Sequence, residues 1–193
     1  MDLVKCLKTQ YGENTPIFFE DIANVCSGYT RGRVYQLIDA AMNSGLLAKA
    51  GYDCYYIPTT TPFGKSLLNP RKVIEKKYIS NKGEVYGFYT GLALLNSFGI
   101  TTQMPNVIEV FTNNEATKSR RVTINNSNYK EMMLLELFNL ADIRSIDARA
   151  TQKIVDYMKQ NNISIQGIMK YAKFVPARAI KNFMSSEVQN AFA

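Results

Sequence analysis

The sequence predicts an α+β protein: an N-terminal domain of three helices and a hairpin, then a small mixed α/β domain with a helical C-terminus. Three observations carry that prediction. Apolar residues recur at three- and four-residue steps through most of the first 43 residues and again through 131–193, the period of helices with one buried side. Short runs rich in β-branched and aromatic residues, bounded by Gly, Pro or Asn, stand at 46–57 and 107–112. The chain has 193 residues, of which 46% are hydrophobic and 20% charged, enough apolar material for a core and far from the composition of a disordered chain.

Each element of the first domain, taken as 1–62, has its own signal. Asp2 is placed to cap a helix through about Gln10, with Leu3, Val4 and Leu7 on one side and Gly12 as its stop. Thr15 to Phe19 is extended and apolar. A second helix from Glu20 to Cys26 starts with two carboxylates, Glu20 and Asp21, which suit the positive end of a helix, and buries Ile22, Val25 and Cys26. Ser27-Gly28-Tyr29 breaks it. Thr30 caps a third helix that runs to Asn43 and is stopped at Gly45, with Val34, Leu37, Ile38 and Ala41 on its inner stripe. The opposite side carries Gly32, Gln36, Asp39 and Asn43, flanked by Arg33 and Tyr35, with Arg31 near the start. Leu46 to Ile57 reads as two short strands about a turn containing Gly51.

Two helices joined by a short Gly-containing turn, followed at once by a β-hairpin, are the order of a winged helix-turn-helix. The chemistry of the third helix fits the major groove of DNA. A guanidinium bonds guanine bidentately and a carboxamide does the same to adenine. Arg31, Arg33 and Gln36 are therefore expected to read bases, with Tyr35 beside them, and Thr30, Lys49 and Tyr52 to hold the phosphate backbone. Arg and Gln on a helix are also what a solvated surface looks like, and winged helices serve elsewhere as protein-interaction modules. Tyr55, Tyr56 and Ile57 are expected to pack.

Pro58 to Pro62 followed by Gly64 is rich in breakers and marks the expected boundary, so the second domain is taken as 63–193. Asn69-Pro70 opens a helix through Tyr78 whose exposed side carries Arg71, Lys72, Lys76 and Lys77. A solvated surface, phosphate contacts and an acidic partner all suit these charges. Residues 83–114 read as strand, turn, a helix from Thr90 to Ser97 ended by Gly99, a loop, and a strand over Val107 to Thr112, with Arg121 to Ile124 returning beside it in a small mixed sheet. Ser145 is expected to cap a helix to about Asn161 that buries Ile146, Ala150, Ile154, Tyr157 and Met158. Ser164 caps another, with Ile165, Ile168, Met169 and Ala172 inward. Pro176 opens a last one, with Ala179, Ile180, Phe183 and Met184 inward and Arg178 and Lys181 outward.

Thr90 to Leu94, Gly99-Ile100, Thr102-Gln103-Met104-Pro105 and Val107 to Phe111, preceded by the helix-and-hairpin domain and by Tyr56-Ile57-Pro58, resemble the AbiEi-like family of type IV antitoxins and transcriptional regulators. The resemblance covers roughly 15–125. It implies a repressor of its own promoter that binds inverted repeats and counteracts a companion toxin with a nucleotidyltransferase-like fold. The chain is short for the longer members, so their C-terminal toxin-neutralising region is not carried over residue by residue.

Other chemistry is excluded or unsupported. The chain has no histidine, which removes His-based catalysis and the commonest metal ligand. It has no phosphate-binding glycine loop, and no closely spaced carboxylate pair of the kind a nucleotidyltransferase uses to hold Mg²⁺; Asp142 and Asp147 are too far apart and flank a helix start. No catalytic residue, cofactor or metal is expected, and the chain is read as a non-enzyme. The formal net charge is +7, but residues 1–68 balance six Lys/Arg against six Asp/Glu, so the excess lies downstream. Cys6, Cys26 and Cys54 are odd in number and scattered, which suits reduced packing residues in the cytoplasm. No secretory signal or membrane span is visible. The expected partners are double-stranded operator DNA, a companion toxin protein and, on DNA, a second copy. The alternatives are a winged-helix transcription factor answering to a small effector in its second domain, without a toxin partner, and a protein-interaction module.

Overall fold

The computed structural model describes residues 2–51, 53–114 and 122–191, and it is a mixed α+β chain dividing into two compact units, 1–76 and 77–193. Among the described residues no helix is long and apolar enough to cross a membrane.

In the first unit, helix α1 (Leu3–Tyr11) begins where the Asp2 carboxylate accepts the Lys5 N–H and ends at Gly12, whose φ of 74° suits a residue without a Cβ. Strand β1 (Ile17–Phe18) leads directly into α2 (Phe19–Val25), and α3 (Arg31–Asn43) follows after a turn. Strands β2 (Ala48–Gly51) and β3 (Cys54–Tyr56) form a hairpin with an irregularity between Lys49 and Gly51. Its loop contains Tyr52, outside the described residues, and Asp53, at φ 42°. Strand β3 lies in the middle of an antiparallel sheet, pairing Tyr55 with both Lys49 and Ile17. The three helices close over this sheet. Leu3, Leu7, Ile17, Phe19, Ile22, Cys26, Val34, Ile38, Ala41, Leu47, Tyr55 and Ile57 make one buried cluster. A Leu, Ile or Phe side chain taken fully from water contributes about 1.5–3 kcal/mol, so the inner stripe of α3 is what holds that helix down.

The unit extends past the breaker-rich segment that suggested a boundary near 62. A second hairpin, β4 (Thr60–Thr61) with β5 (Gly64–Lys65), is followed by α4 (Pro70–Ile74), capped by Asn69, and a π-type turn over Glu75–Ile79. This segment is tied back by side chains. Leu68 packs with Cys54 and Tyr56, and the Lys72 ammonium donates to the Asn14 carbonyl at 3.1 Å. Lys76, expected on an outward basic surface, instead turns in. Its ammonium lies 2.7 Å from an Asp21 carboxylate oxygen and 2.7 Å from the Pro16 carbonyl, over the rings of Tyr11 and Phe18. Asp21 also accepts the Phe18 N–H at 2.9 Å and the Tyr11 hydroxyl at 3.4 Å. Burial, and then the Asp21 carboxylate, push the Tyr11 phenol up from its ordinary value.

In the second unit, β6 (Ser80–Asn81) and β7 (Glu84–Val85) form a small hairpin, and β8 (Gly87–Tyr89) pairs antiparallel with β9 (Val110–Thr112). Phe88 and Phe111 stack across that pair at 5.0 Å. Helix α5 (Gly91–Ser97) starts one residue later than Thr90 and is closed by Gly99 at φ 77°. The strand expected over 107–112 is shorter than its pattern: Val107 and Ile108 are exposed and pairing starts at Val110. Nor is the described part of the expected return strand, 122–124, a strand; Arg121 lies outside the described residues. The Asn113 carboxamide stands in for a ladder, accepting the Ile124 N–H at 2.8 Å and donating to its carbonyl at 2.6 Å. All the described sheets are antiparallel, so the mixed sheet is not formed among the described residues.

Helix α6 (Tyr129–Leu140) is the axis of this unit. Met132, Leu134, Leu135, Leu137 and Phe138 are all buried, a sequence too apolar all round to lie on a surface. The next long helix, α7 (Ala148–Gln160), is capped by Asp147, not Ser145, which ends a separate 3₁₀ turn capped by Asp142. Then come α8 (Ile165–Met169), capped by Ser164, and α9 (Ala177–Ser185), which buries Ala179 and Phe183. Met169 and Met184 are not inward but part-exposed, at 38% and 49%. Tyr157 packs edge-on to Phe98, and burial, aided by Tyr129 and Glu131, pushes its phenol up to about 12. No disulfide joins Cys6, Cys26 and Cys54.

Two predictions follow from these contacts. Removing one partner of a buried ion pair leaves the other uncompensated, so Asp21→Asn is expected to destabilise the first unit by about 3 kcal/mol in urea melts, and Asp21→Asn with Lys76→Met to recover part of that loss. With Lys76→Met alone as the remaining corner of the cycle, a double-variant cost equal to the sum of the two singles would show that the pair is not coupled. For Tyr157, the folded value lies above the unfolded one, so its contribution is complete below about pH 10 and disappears as pH rises through about 12. Tyr157→Phe should flatten the alkaline loss of stability of the second unit across that window, measured by denaturant titration at successive pH values.

Candidate nucleic-acid interface

The first two turns of α3 gather most of the candidate DNA-reading residues. Thr30 is the N-cap: its hydroxyl accepts the Arg33 N–H at 3.4 Å, which sets the direction in which the helix leaves the turn. Val34, Ile38 and Ala41 are buried, and Arg31, Gly32, Arg33, Gln36, Asp39 and Asn43 are exposed. The inner stripe and the outer surface are therefore the ones the three- and four-residue spacing dictates.

Neither guanidinium hangs loose. Arg33 donates to the Gln36 side-chain oxygen at 3.0 Å, one turn along the same side. Arg31 lies over the Phe19 ring at 4.7 Å and near the Tyr35 ring at 5.9 Å, with its Nη2 3.5 Å from the Tyr35 hydroxyl. Phe19 and Tyr35 themselves stack at 4.6 Å, 22° from parallel. The Tyr35 hydrogen bond raises the Arg31 pKa further above a value already far from neutrality, so it is a permanent cation. The Phe19 ring and the Tyr35 hydroxyl together hold the Arg31 guanidinium, whose coplanar donors are the kind that bidentate recognition uses.

Tyr35 thus faces Phe19 and Arg31, and only 38% of it is exposed. Phe19 is the residue that sequence reasoning missed. It is the first residue of α2, and its N–H donates to the Asp53 carbonyl at 3.0 Å, which ties the tip of the β2–β3 hairpin to the start of that helix. Nothing in the spacing of Phe19, the second of two adjacent phenylalanines, announces a platform for an arginine twelve positions on.

Lys49 is exposed on β2, opposite Tyr55. Tyr52 lies outside the described residues. Tyr55 and Tyr56 are buried at 5% each, as their expected packing role requires, and burial followed by the Asp53 carboxylate pushes the Tyr55 phenol up. In the second unit, Gln103 works through its backbone: its carbonyl accepts the Asn96 carboxamide at 2.7 Å and its N–H donates to Thr101 Oγ1 at 3.2 Å. Among the described residues no three Cys, Asp or Glu side chains gather into a metal-binding group.

No protein-family model, no curated protein and no solved structure matches the chain.

The cap gives a direct test of local design. Thr30→Ala removes the acceptor for the Arg33 N–H and is expected to cost about 1 kcal/mol of stability, while Thr30→Asn restores it; melts of the three proteins check this.

Proposed function

We propose that the chain is a regulator that binds duplex DNA, with the first unit acting as a winged helix whose α3 enters the major groove. The observation that carries this reading is the grouping of Arg31, Arg33 and Gln36 on the exposed side of the first turns of a helix whose other side is buried. In this reading α2 and the turn before Thr30 set the angle of approach, Arg33 and Gln36 meet base edges, and Arg31 is presented by Phe19 and Tyr35. Lys49 and the loop between Gly51 and Cys54 form the wing beside the phosphate backbone. Tyr35 acts chiefly by holding Arg31.

The resemblance of roughly 15–125 to antitoxin-regulators extends the proposal. The chain represses its own promoter at an inverted repeat and counteracts a toxin encoded beside it. Two copies on related half-sites follow from the symmetry of such a repeat.

The experiment is a gel-shift titration of the full chain on a duplex selected from a randomised pool, set against random DNA. Arg33→Ala or Gln36→Ala should weaken binding to the selected duplex by about 1–3 kcal/mol, and random DNA by much less. Equal losses on both duplexes would move these residues from bases to phosphates. Affinity should also fall linearly in log–log form with salt. A chain that binds no duplex at low salt is not a DNA-binding regulator.

A further inference from the structure

The hairpin β4–β5 is unused by the reading of α3. Phe63 stands at its tip with its side chain wholly exposed, at 101%, and Leu67 just beyond it is 88% exposed. A phenyl ring left in water forgoes about 2 kcal/mol of burial, yet the hairpin that carries it is firmly built. Thr61 Oγ1 donates to the Gly64 carbonyl at 2.7 Å and accepts the Phe63 N–H at 3.3 Å. At the base, the Asn14 carboxamide bonds both Thr59 and Ser66, and the Tyr56 hydroxyl donates to the Ser66 carbonyl at 3.2 Å. The Lys65 ammonium donates to the Gly45 carbonyl at 2.6 Å, which fastens the hairpin to the residue that stops α3.

Charge and shape select the partner. Between Asp53 and Glu75 the chain carries Lys65, Arg71 and Lys72 and no acidic residue, so the hairpin segment itself is basic and suits a polyanion. An ammonium has three donors, and the single bond that Lys65 and Lys72 each make here leaves donors for a phosphate. A stable protein interface needs about 800 Å² on each side, whereas one Phe and one Leu offer a few hundred at most. A lone aromatic on a narrow hairpin has the dimensions of a wedge between two base pairs.

We propose that β4–β5 is a second DNA contact, in which Phe63 enters a base step in the minor groove flanking the site read by α3, with Lys65, Arg71 and Lys72 on the adjoining phosphates. The proposal rests on the DNA-binding reading of α3. It makes the hairpin the part of the first unit that senses how easily flanking DNA unstacks and bends.

The chain contains no tryptophan, so F63W places a single fluorescent reporter at the tip. The full chain carrying F63W is titrated with the duplex selected by wild type, and F63A is titrated beside it. Because Phe63 is exposed, both variants are expected to keep the wild-type circular dichroism spectrum. The proposal expects quenching of F63W as the duplex saturates, and about tenfold weaker binding by F63A with the salt slope unchanged, in the range of one lost aromatic–base stack. Saturation with F63W emission unchanged and F63A binding like wild type overturns it while leaving the reading of α3 standing. A blue shift of F63W that grows with protein concentration in the absence of DNA, or that appears only on anionic vesicles, overturns it in favour of self-association or a lipid surface. If wild type binds no duplex, the reading of α3 falls and the hairpin proposal falls with it.

Discussion

A carboxylate taken out of water must be satisfied on several sides at once, and Asp21 meets that demand by drawing three segments of the first unit together. Its oxygens receive the Phe18 backbone at the start of α2, the Tyr11 hydroxyl at the end of α1 and the Lys76 ammonium from the far end of the unit. Lys76 in turn holds the Pro16 carbonyl. The consequence reaches the exposed end of α3. With the start of α2 held, Phe19 has one place to go, and Tyr35 and Arg31 stack in sequence on it. A buried polar cluster thus fixes the orientation of an exposed cation that touches none of its members.

The second unit is organised by a different constraint. Helix α6 has no polar side to give to solvent, so it is wrapped by β8, α5, α8 and α9. One of its part-buried carboxylates, Glu136, is met by the Thr90 hydroxyl at 3.0 Å and by Asn139 at 3.3 Å. The threonine before α5 therefore serves a helix far along the chain and makes no side-chain cap of its own. Close packing also sets the glycine at the start of β8. A Cβ on Gly87 would lie 2.1 Å from the Tyr78 carbonyl oxygen and 2.7 Å from that of Phe111.

What was legible in the sequence was local. Asp2, Thr30, Asn69 and Ser164 act as caps where their spacing from the following apolar stripe places them, and the inner residues of α3 are those its period selects. The exposed positions of Arg31, Arg33, Gln36 and Lys49 were equally legible, because they are what remains when the stripe is subtracted. The failures share one cause, a partner distant in sequence. Lys76 reads as a surface charge because nothing near it reveals Asp21. Val107 and Ile108 alternate like strand residues, but β8 is only three residues long and offers them no ladder. Ser145 and Asp147 are both acceptable caps by type, and the intervening 3₁₀ turn decides between them. Phe19 was hidden for the same reason, since Tyr35 meets its ring from another helix.

The two units also differ in when they can be completed. Every contact that closes the first one, down to Lys76, is made by residues that a ribosome delivers before the second begins. The nascent N-terminal part can therefore reach its final state while the rest is still being synthesised. The second unit has no such early closure. Helix α6 is left with an uncovered apolar side until α9 arrives, and α7 is finished only by the 3₁₀ turn over Glu187–Ala191. The order of synthesis therefore allows the first unit to be complete while the apolar surface of α6 still awaits α9.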